Sequence, residues 1–380
     1  MKKFLVLGLI LAVAGGAFAQ SITFSANVQS GIGVRVPGGG SPMVFGLQRG
    51  VFEGDRTHGQ AELGVTIRNA DGNASGHFGF RQGWGGNNTA LEVYAANVRI
   101  NLLDDMMTFV VGRGGPEGFA TGAPFNPHFA VGGGNGFSII ARPIDGMTLG
   151  VSVHTGTGNG DGLGFSEFGT ARYAIGVRYA LPDVGAFVLT FRYNEGSTTA
   201  GNNRIDIGFG ANLTSLVSGT SITRLAFDAQ VLDITKKANA GAFIDIRFSE
   251  GLTFRFDDLT VGADLRQTLR MPTSGSMGMN LHFNIFGTYA VNETLTPGIN
   301  VGFVLGGGLD AAYRRPANAL AQGATAGTGL GDAMAVALNP YLTLNLGSSI
   351  TFEVGYTFAT TLKGASTTRQ AIYINTNLSY

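Results

Sequence analysis

Arginine is the charged side chain that recurs most regularly in this sequence, and it recurs at alternate positions between apolar residues. The chain has 25 basic residues, 20 of them Arg, and 25 acidic residues. Alternate residues of a β-strand point to one face, so the sequence predicts a charged face. We assign to this face Arg35, Arg68, Arg81, Arg99, Arg113, Arg142, Arg172, Arg178, Arg192, Arg204, Asp206, Asp228 and Asp245. A guanidinium stays protonated, so such rows steer or select ions.

Catalytic and metal-binding patterns are weak by comparison. The chain has no Cys, which excludes disulfides, thiolate nucleophiles and Cys-based zinc sites. The five His residues have no metal-ligand spacing, and no Ser and acid accompany His154 or His282. The Gly158–Gly164 stretch superficially resembles a phosphate or calcium loop, but it occurs once and no Lys-Ser/Thr follows. We therefore predict neither an enzyme nor a cofactor.

Strands must position the charged rows, because apolar residues alternate with polar ones almost throughout. Ile22, Phe24, Ala26 and Val28 begin this pattern, and it returns to the end of the chain. One segment, 251–266, changes register at Asp257-Asp258, which indicates a bulge or two short strands. The eighteen predicted segments are 21–36, 59–69, 73–84, 90–101, 105–113, 135–142, 146–154, 169–181, 185–194, 202–213, 221–233, 240–249, 251–266, 277–291, 295–305, 334–346, 348–359 and 369–380.

The connections between these segments alternate in length. Short turns, such as Pro182-Asp183-Val184 and the predicted turn Glu250-Gly251, separate longer connections that include 37–58, 114–134 and 306–333. Short turns at one end and long loops at the other are typical of outer-membrane barrels. The 306–333 stretch could also be a linker, but strand patterns flank it on both sides.

The N-terminus predicts export. Lys2 and Lys3 precede an apolar run from Phe4 to Ala14, and Ala17-Phe18-Ala19 fits a cleavage site. We expect residues 1–19 to be a cleaved signal peptide and residues 20–380 to form one domain; an uncleaved anchor helix is the alternative. No mature segment is apolar for long enough to be a membrane helix. The balanced charge gives no footprint for nucleic acid.

Barrel width decides which face meets water. A barrel of about sixteen to eighteen strands is too wide for its side chains to fill, so it encloses water. The polar face then lines the lumen and the apolar face meets lipid. Aromatic residues near segment ends fit interfacial girdles; they are Tyr94, Tyr179, Phe191, Tyr193, Tyr289, Phe358 and Tyr373. The predicted fold class is an all-β transmembrane antiparallel barrel, with short periplasmic turns and long extracellular loops.

The last ten residues, AIYINTNLSY, resemble the C-terminal strand of bacterial outer-membrane barrels. Ile372, Ile374, Leu378 and the terminal Tyr380 match that pattern, whereas Thr376 departs from it and Tyr replaces the commoner Phe. In that family the strand is the signal read by the barrel assembly machinery. The resemblance therefore implies that this machinery is a partner and that the source has a Gram-negative-type cell envelope.

The third long connection resembles the constriction loop of general porins. That loop folds into the lumen and commonly carries a Pro-Glu pair; here Pro116, Glu117 and Phe119 resemble this feature. Glu117 would then face the arginines of the early strands. A plain surface loop is the alternative.

The resemblance to porins implies an outer-membrane channel for passive diffusion of small hydrophilic solutes and ions. The excess of inward Arg predicts a mild preference for anions, unless these residues only pair with acids and stiffen the wall. Outer-membrane lipid is an expected partner, and many porins are homotrimers. The alternatives are a substrate-specific transporter, for example for hydrophobic solutes, and a non-conducting adhesin or structural surface barrel.

Overall fold

The computed structural model describes most of the predicted strands and a few residues of the connections. The described residues are 19–37, 43–46, 59–84, 92–113, 117–119, 121, 123, 130–131, 135–154, 172–194, 204–235, 243–272, 277–307, 334–363 and 368–379; some side chains at strand ends are outside this description. No helix among these residues is long and apolar enough to cross a membrane.

Eighteen antiparallel strands form one closed barrel. They are β1 Ala19–Pro37, β2 Gly59–Asn69, β3 Ala74–Trp84, β4 Glu92–Leu102, β5 Met107–Arg113, β6 Asn135–Ala141, β7 Met147–His154, β8 Arg172–Leu181, β9 Gly185–Asn194, β10 Arg204–Asn212, β11 Ile222–Leu232, β12 Phe243–Phe256, β13 Leu259–Pro272, β14 Gly278–Tyr289, β15 Leu295–Gly307, β16 Met334–Leu346, β17 Ile350–Lys363 and β18 Thr368–Ser379. The predicted fold class is confirmed.

The barrel closes between its first and last strands. β1 pairs with β2 in the register Val28 to Ala61, and with β18 in the register Val34 to Ile372. A short strand, Met43–Gly46, also pairs with the end of β1. Because each barrel strand has two neighbours, all of its backbone groups can find partners within the sheet, as a hydrocarbon environment requires.

The alternation of short turns and long connections is confirmed. The short turns contain residues in the left-handed backbone region, including Asp104 (φ 52°), Asp183 (φ 59°) and Gly347 (φ 72°). Asp and Gly tolerate this region better than most residues do, which explains their frequency in these turns. Both ends of the barrel chain, Ala19 and Ser379, lie on the short-turn side.

One predicted turn was wrong. Glu250-Gly251 is not a turn; it lies in the middle of β12, and the hairpin turn is Asp257-Asp258, with φ of 48° at Asp257. Gly251 pairs with Ala226 on one side and with Asp264 on the other. The register change noted in the sequence is therefore the reversal between β12 and β13.

The outward face of the barrel is apolar. Phe24, Leu189 and Ile372 are 59%, 53% and 62% exposed, and similar residues occupy the outward rows of most strands. Large contiguous apolar surfaces are rare on water-soluble monomers, so this face suits hydrocarbon. Tyr179 and Tyr289 lie on this face near the short turns, as expected for an aromatic girdle.

Tyr373 was wrongly predicted to belong to that girdle. It lies on the inward face and is only 1% exposed. Its hydroxyl is 3.1 Å from both Glu353 Oε1 and Asn339 Nδ2. The row to which Tyr373 belongs also contains Asn375 and Asn377, so its aromatic ring is the exception in a polar row.

Candidate functional site: the lumen wall and the inward loop

The third long connection contacts the inner wall of the barrel. Thr121 Oγ1 donates a hydrogen bond to Asp228 Oδ1 at 2.8 Å, and both residues are buried. Phe119, also buried, packs with the inward-facing Val188 of β9. Phe119 and Thr121 therefore lie inside the barrel, against β9 and β11.

A glycine makes room for this contact. A Cβ atom on Gly210 would lie 2.0 Å from Asp228 Oδ1 and 2.6 Å from Thr121 Cγ2. The Thr121 hydroxyl also accepts a hydrogen bond from the Ala123 backbone N–H at 3.3 Å. Gly210, Thr121 and Asp228 therefore form a fitted contact between the loop and the wall, which we call the loop latch.

Two short strands, one before and one after Thr121 in the sequence, pair with each other. Glu117–Gly118 pairs with Ala130–Val131, and the second of these strands approaches β7 and β8. Of the predicted constriction residues, Phe119 is buried in the lumen. Pro116 and the Glu117 side chain lie outside the described residues, so the proposed field between Glu117 and the early arginines stays a prediction.

Three inward acids of β10, β12 and β13 are paired with arginines. Arg192 forms an ion pair with Asp206, and Arg224 forms one with Asp264. Arg270 donates from Nε and Nη2 to the Asp245 carboxylate at 2.9 and 3.1 Å. Asp245 and Asp206 are 1% and 0% exposed, so these pairs carry no free negative charge into the lumen.

The other predicted basic residues fall into two groups. Arg68, Arg99, Arg142 and Arg178 occupy the row of side chains opposite to the apolar face and are at least partly exposed. Arg142 Nη1 donates to the Asp105 carbonyl at 3.2 Å and to Thr108 Oγ1 at 3.1 Å, at the short-turn end. The side chains of Arg35, Arg81, Arg113, Arg172 and Arg204 lie outside the described residues.

Arg178 stands apart from the paired arginines. Among the described residues it makes no hydrogen bond or ion pair. It lines a cavity of about 650 Å³ at the short-turn end of the lumen. Other residues lining this cavity are Thr121, Asp145, Val188, Asn212 and Ser215. The cavity therefore lies directly beside the loop latch.

Three features of the wall were missed by the sequence analysis. Arg270 lies between the predicted segments 251–266 and 277–291, although alternation with Leu269 and Met271 continues through it. The contact between Thr121 and Asp228 joins residues 107 positions apart, and no local pattern signals it. Arg224 lies 5.7 Å from the centre of the Phe286 ring, a cation–π contact on the inward face that was not foreseen.

The His residues form no recognisable catalytic or metal site in the described part of the chain. His77 Nδ1 lies 3.0 Å from Thr66 Oγ1, and His282 is buried opposite Arg266. No group of three or more possible metal ligands occurs among the described residues.

The predicted assembly-signal residues lie on the last strand. Ile372, Ile374 and Leu378 point outward and are 62%, 45% and 42% exposed. Tyr380 lies outside the described residues. The signal itself, a contact with assembly machinery, stays a prediction.

Comparison with known proteins identifies the fold. No model of a protein family matches the chain, and no curated protein matches its sequence. Among solved structures, Pseudomonas aeruginosa OpdK with vanillate is similar at a TM-score of 0.57 and 8% identity, covering 96% of this chain and 100% of that one. OccD3 (OpdP) of the same organism is similar at 0.56 and 11%, covering 96% and 92%. The loop L8 deletion mutant of OmpT, an outer membrane protein of Vibrio cholerae, is similar at 0.53 and 9%, covering 95% and 99%. The chain therefore has the fold of these barrels over nearly its full length.

Proposed function

We propose that this protein is an outer-membrane channel that passes small hydrophilic solutes and ions by diffusion. The observation that carries the proposal is the distribution of side chains on a closed eighteen-strand barrel, apolar outside and charged inside. A barrel of this width is not filled by the side chains of its own strands. Charged residues that face inward then lie beside water, which is the environment in which they are stable without partners.

The inward charges favour anions. The described inward acids Asp206, Asp245 and Asp264 are each ion-paired with an arginine. Asp228 accepts from Thr121 in the loop latch. Arg178 and Arg68, in contrast, have no bonded partner among the described residues. Glu353, another inward acid, accepts a hydrogen bond from the Tyr373 hydroxyl. The unpaired guanidinium groups lower the free energy of an anion in the lumen.

The loop latch supports a role for the inward loop in limiting solute size. Phe119 and Thr121 occupy space inside the barrel that water and solutes would otherwise fill. Pro116 and Glu117 belong to the same loop, and we include them in the proposed constriction because of the porin resemblance.

A substrate-specific channel is the second candidate. The inward wall of β12 to β14 is closely covered: Arg247, Arg266 and His282 are only 5%, 8% and 5% exposed. Side chains packed this closely on the inward face leave less room for water in the lumen, which favours contact with particular solutes. OpdK, which shares the fold, has a crystal structure with vanillate, so small aromatic acids are suitable test solutes.

The proposed location and partners follow from the same assignment. We infer export through cleavage after Ala19, insertion into outer-membrane lipid by the barrel assembly machinery, and a homotrimeric assembly by analogy with porins. Intact mass of the protein recovered from outer membranes tests the cleavage site, since a chain starting at Gln20 has one defined mass.

Single-channel recording tests the channel. The mature protein is refolded, its folding is checked by the mobility shift between unheated and heated samples, and currents are measured in a planar bilayer with a salt gradient. Steady conductance steps support the proposal if the reversal potential is shifted toward the equilibrium potential of the anion. A cation preference contradicts the charge assignment, and folded protein without conductance supports the non-conducting adhesin or structural barrel. Block of the current by a small aromatic acid, but not by a neutral sugar of similar size, supports the second candidate.

A further inference from the structure

An acidic side chain lies in the middle of the apolar outer surface. Glu250 is exposed and belongs to the outward row of β12, between Phe248 and Leu252. Its cross-strand partners are Phe227 of β11 and Leu265 of β13, which also point outward. Among the described strands, Glu250 is the one acidic or basic side chain in the middle of the outward face.

Its position along the strand places it far from either aqueous end. Glu250 lies six positions before Phe256, which is beside the short turn, and seven positions after Phe243. At about 3.3 Å per residue, each end is about 20 Å away along the strand. A transmembrane strand needs only about 9–11 residues, so Glu250 lies near the centre of the hydrocarbon layer.

A carboxylate at this depth needs a partner. Charged side chains on the lipid face of a barrel lower its stability most at the midplane, and an ionisable residue inside a membrane is usually paired. Within the described residues, however, Glu250 makes no hydrogen bond or ion pair. A second molecule in the membrane can supply that partner.

The neighbouring surface carries a matching donor. Gln267 lies in the outward row of β13, opposite Phe248, and is a diagonal neighbour of Glu250 at about 7–8 Å. Its amide also makes no hydrogen bond with the described residues. The flanking Ala229 and Ala263 are small and allow another surface to approach closely. One patch thus holds an acceptor and a donor, and two such patches complement each other.

We propose that Glu250 and Gln267 form a contact between copies of this chain within the membrane, with the Gln267 amide of one copy donating to the Glu250 carboxylate of the next. Because the donor and the acceptor lie in one patch, two copies inserted in the same orientation meet as a symmetric dimer, and the contact is made twice. This pairing differs from the trimer inferred above by analogy with porins. The apolar residues around the pair exclude lipid from it. This assignment rests on the barrel's surface and is independent of whether the lumen conducts.

Cysteine crosslinking of the full-length protein in its membrane tests the contact. The chain has no Cys, so Leu265→Cys places one thiol beside the patch. A matched variant, Ile299→Cys, places one on the outward face of β15, where Ile299 is 43% exposed. With a short membrane-permeant bis-maleimide, which joins two thiols, we expect a product of two chain masses from Leu265→Cys and none from Ile299→Cys.

Charge exchange separates a specific contact from chance proximity. In the Leu265→Cys background, Gln267→Glu brings carboxylates together, and we expect at least a fivefold loss of crosslinked product. The double exchange Glu250→Gln with Gln267→Glu restores a donor and an acceptor, and the product should return. The heat-dependent mobility shift checks that every variant is folded.

Three results would overturn the proposal. They are a Leu265→Cys yield no higher than that of Ile299→Cys in folded protein, a product that joins this chain to a different protein, and a yield that Gln267→Glu leaves unchanged.

Discussion

The aromatic ring of Tyr373 lies across Gly355, its direct cross-strand partner on the inward face of the barrel. A Cβ atom added to Gly355 would be 2.3 Å from the Tyr373 hydroxyl oxygen and 2.4 Å from Cζ. The same relationship joins Tyr341 to Gly298 and Phe286 to Gly262, and in each pair the two residues face each other in the sheet. The absent side chain on one strand thus makes room for a large one on the next.

Replacing Gly355 tests this packing. Tyr373 is held by Glu353 and Asn339, so its ring cannot move freely away from an added methyl group. We expect Gly355→Ala to lower the free energy of unfolding by about 1–3 kcal/mol, the usual cost of overpacking. Urea titration of the refolded barrel in lipid vesicles measures this change.

Gly287→Ala is the matched control. Its added Cβ would meet only ordinary contacts, the nearest being Val261 Cγ1 at 3.6 Å. Equal stabilities of the two variants would contradict the packing argument.

Loosening the loop latch should change the current through the channel. Asp228→Asn weakens the bond from Thr121, which as a hydrogen bond to a charged group contributes about 1.5–3 kcal/mol. The released fraction of the loop then rises by about tenfold or more, and we expect a larger mean conductance with more open-channel noise. Single-channel recording measures both.

A double-mutant cycle identifies the latch as the cause. Thr121→Val should give a similar change, and adding it to Asp228→Asn should have little further effect. Asp264→Asn removes an acid that pairs with Arg224 on the wall and does not touch the described loop residues. If Asp264→Asn raises the conductance as much as Asp228→Asn does, loop release is not the reason.

Arg178 should contribute to anion preference. Its guanidinium has no bonded partner among the described residues and lines the cavity beside the latch. Arg178→Gln removes that positive charge, so we expect the reversal potential in a salt gradient to move toward the equilibrium potential of the cation. Arg178→Lys retains the charge and should stay close to the unmodified protein; a shift as large as that of Arg178→Gln would assign the effect to shape.

Deletion of Tyr380 tests the proposed assembly signal. We expect a several-fold loss of folded barrel from the outer membrane, because the terminal aromatic residue completes the resemblance to the recognised strand. Refolding of the same variant into detergent needs no machinery and should proceed normally. If the amount of folded barrel falls equally in the outer membrane and in detergent, Tyr380 contributes to stability and not to recognition.

The sequence alone determined the class of fold, a strand number of about sixteen to eighteen and the face on which most residues lie. Alternation has a period of two, so rows such as Ile372 and Ile374 define an apolar face without any knowledge of neighbouring strands. Turn residues and loop lengths then ordered the segments. The chemistry of an arginine row beside an apolar row also follows directly, since guanidinium groups are stabilised by water, a paired acid or another polar partner and not by lipid.

Tertiary structure decided the features that depend on neighbours. Glu250-Gly251 and Asp257-Asp258 both have turn-like composition, and the hydrogen-bond registers of β11 and β13 assign the turn to the second pair. Arg270 became part of a strand because β12 is long enough to pair with it. Thr121 of the inward loop forms a hydrogen bond with Asp228 on the lumen wall. No local pattern predicts this contact, because it forms only once the barrel has closed. The physical reason is common to all three: local sequence sets the direction of side chains, whereas closure of the sheet sets which residues become partners.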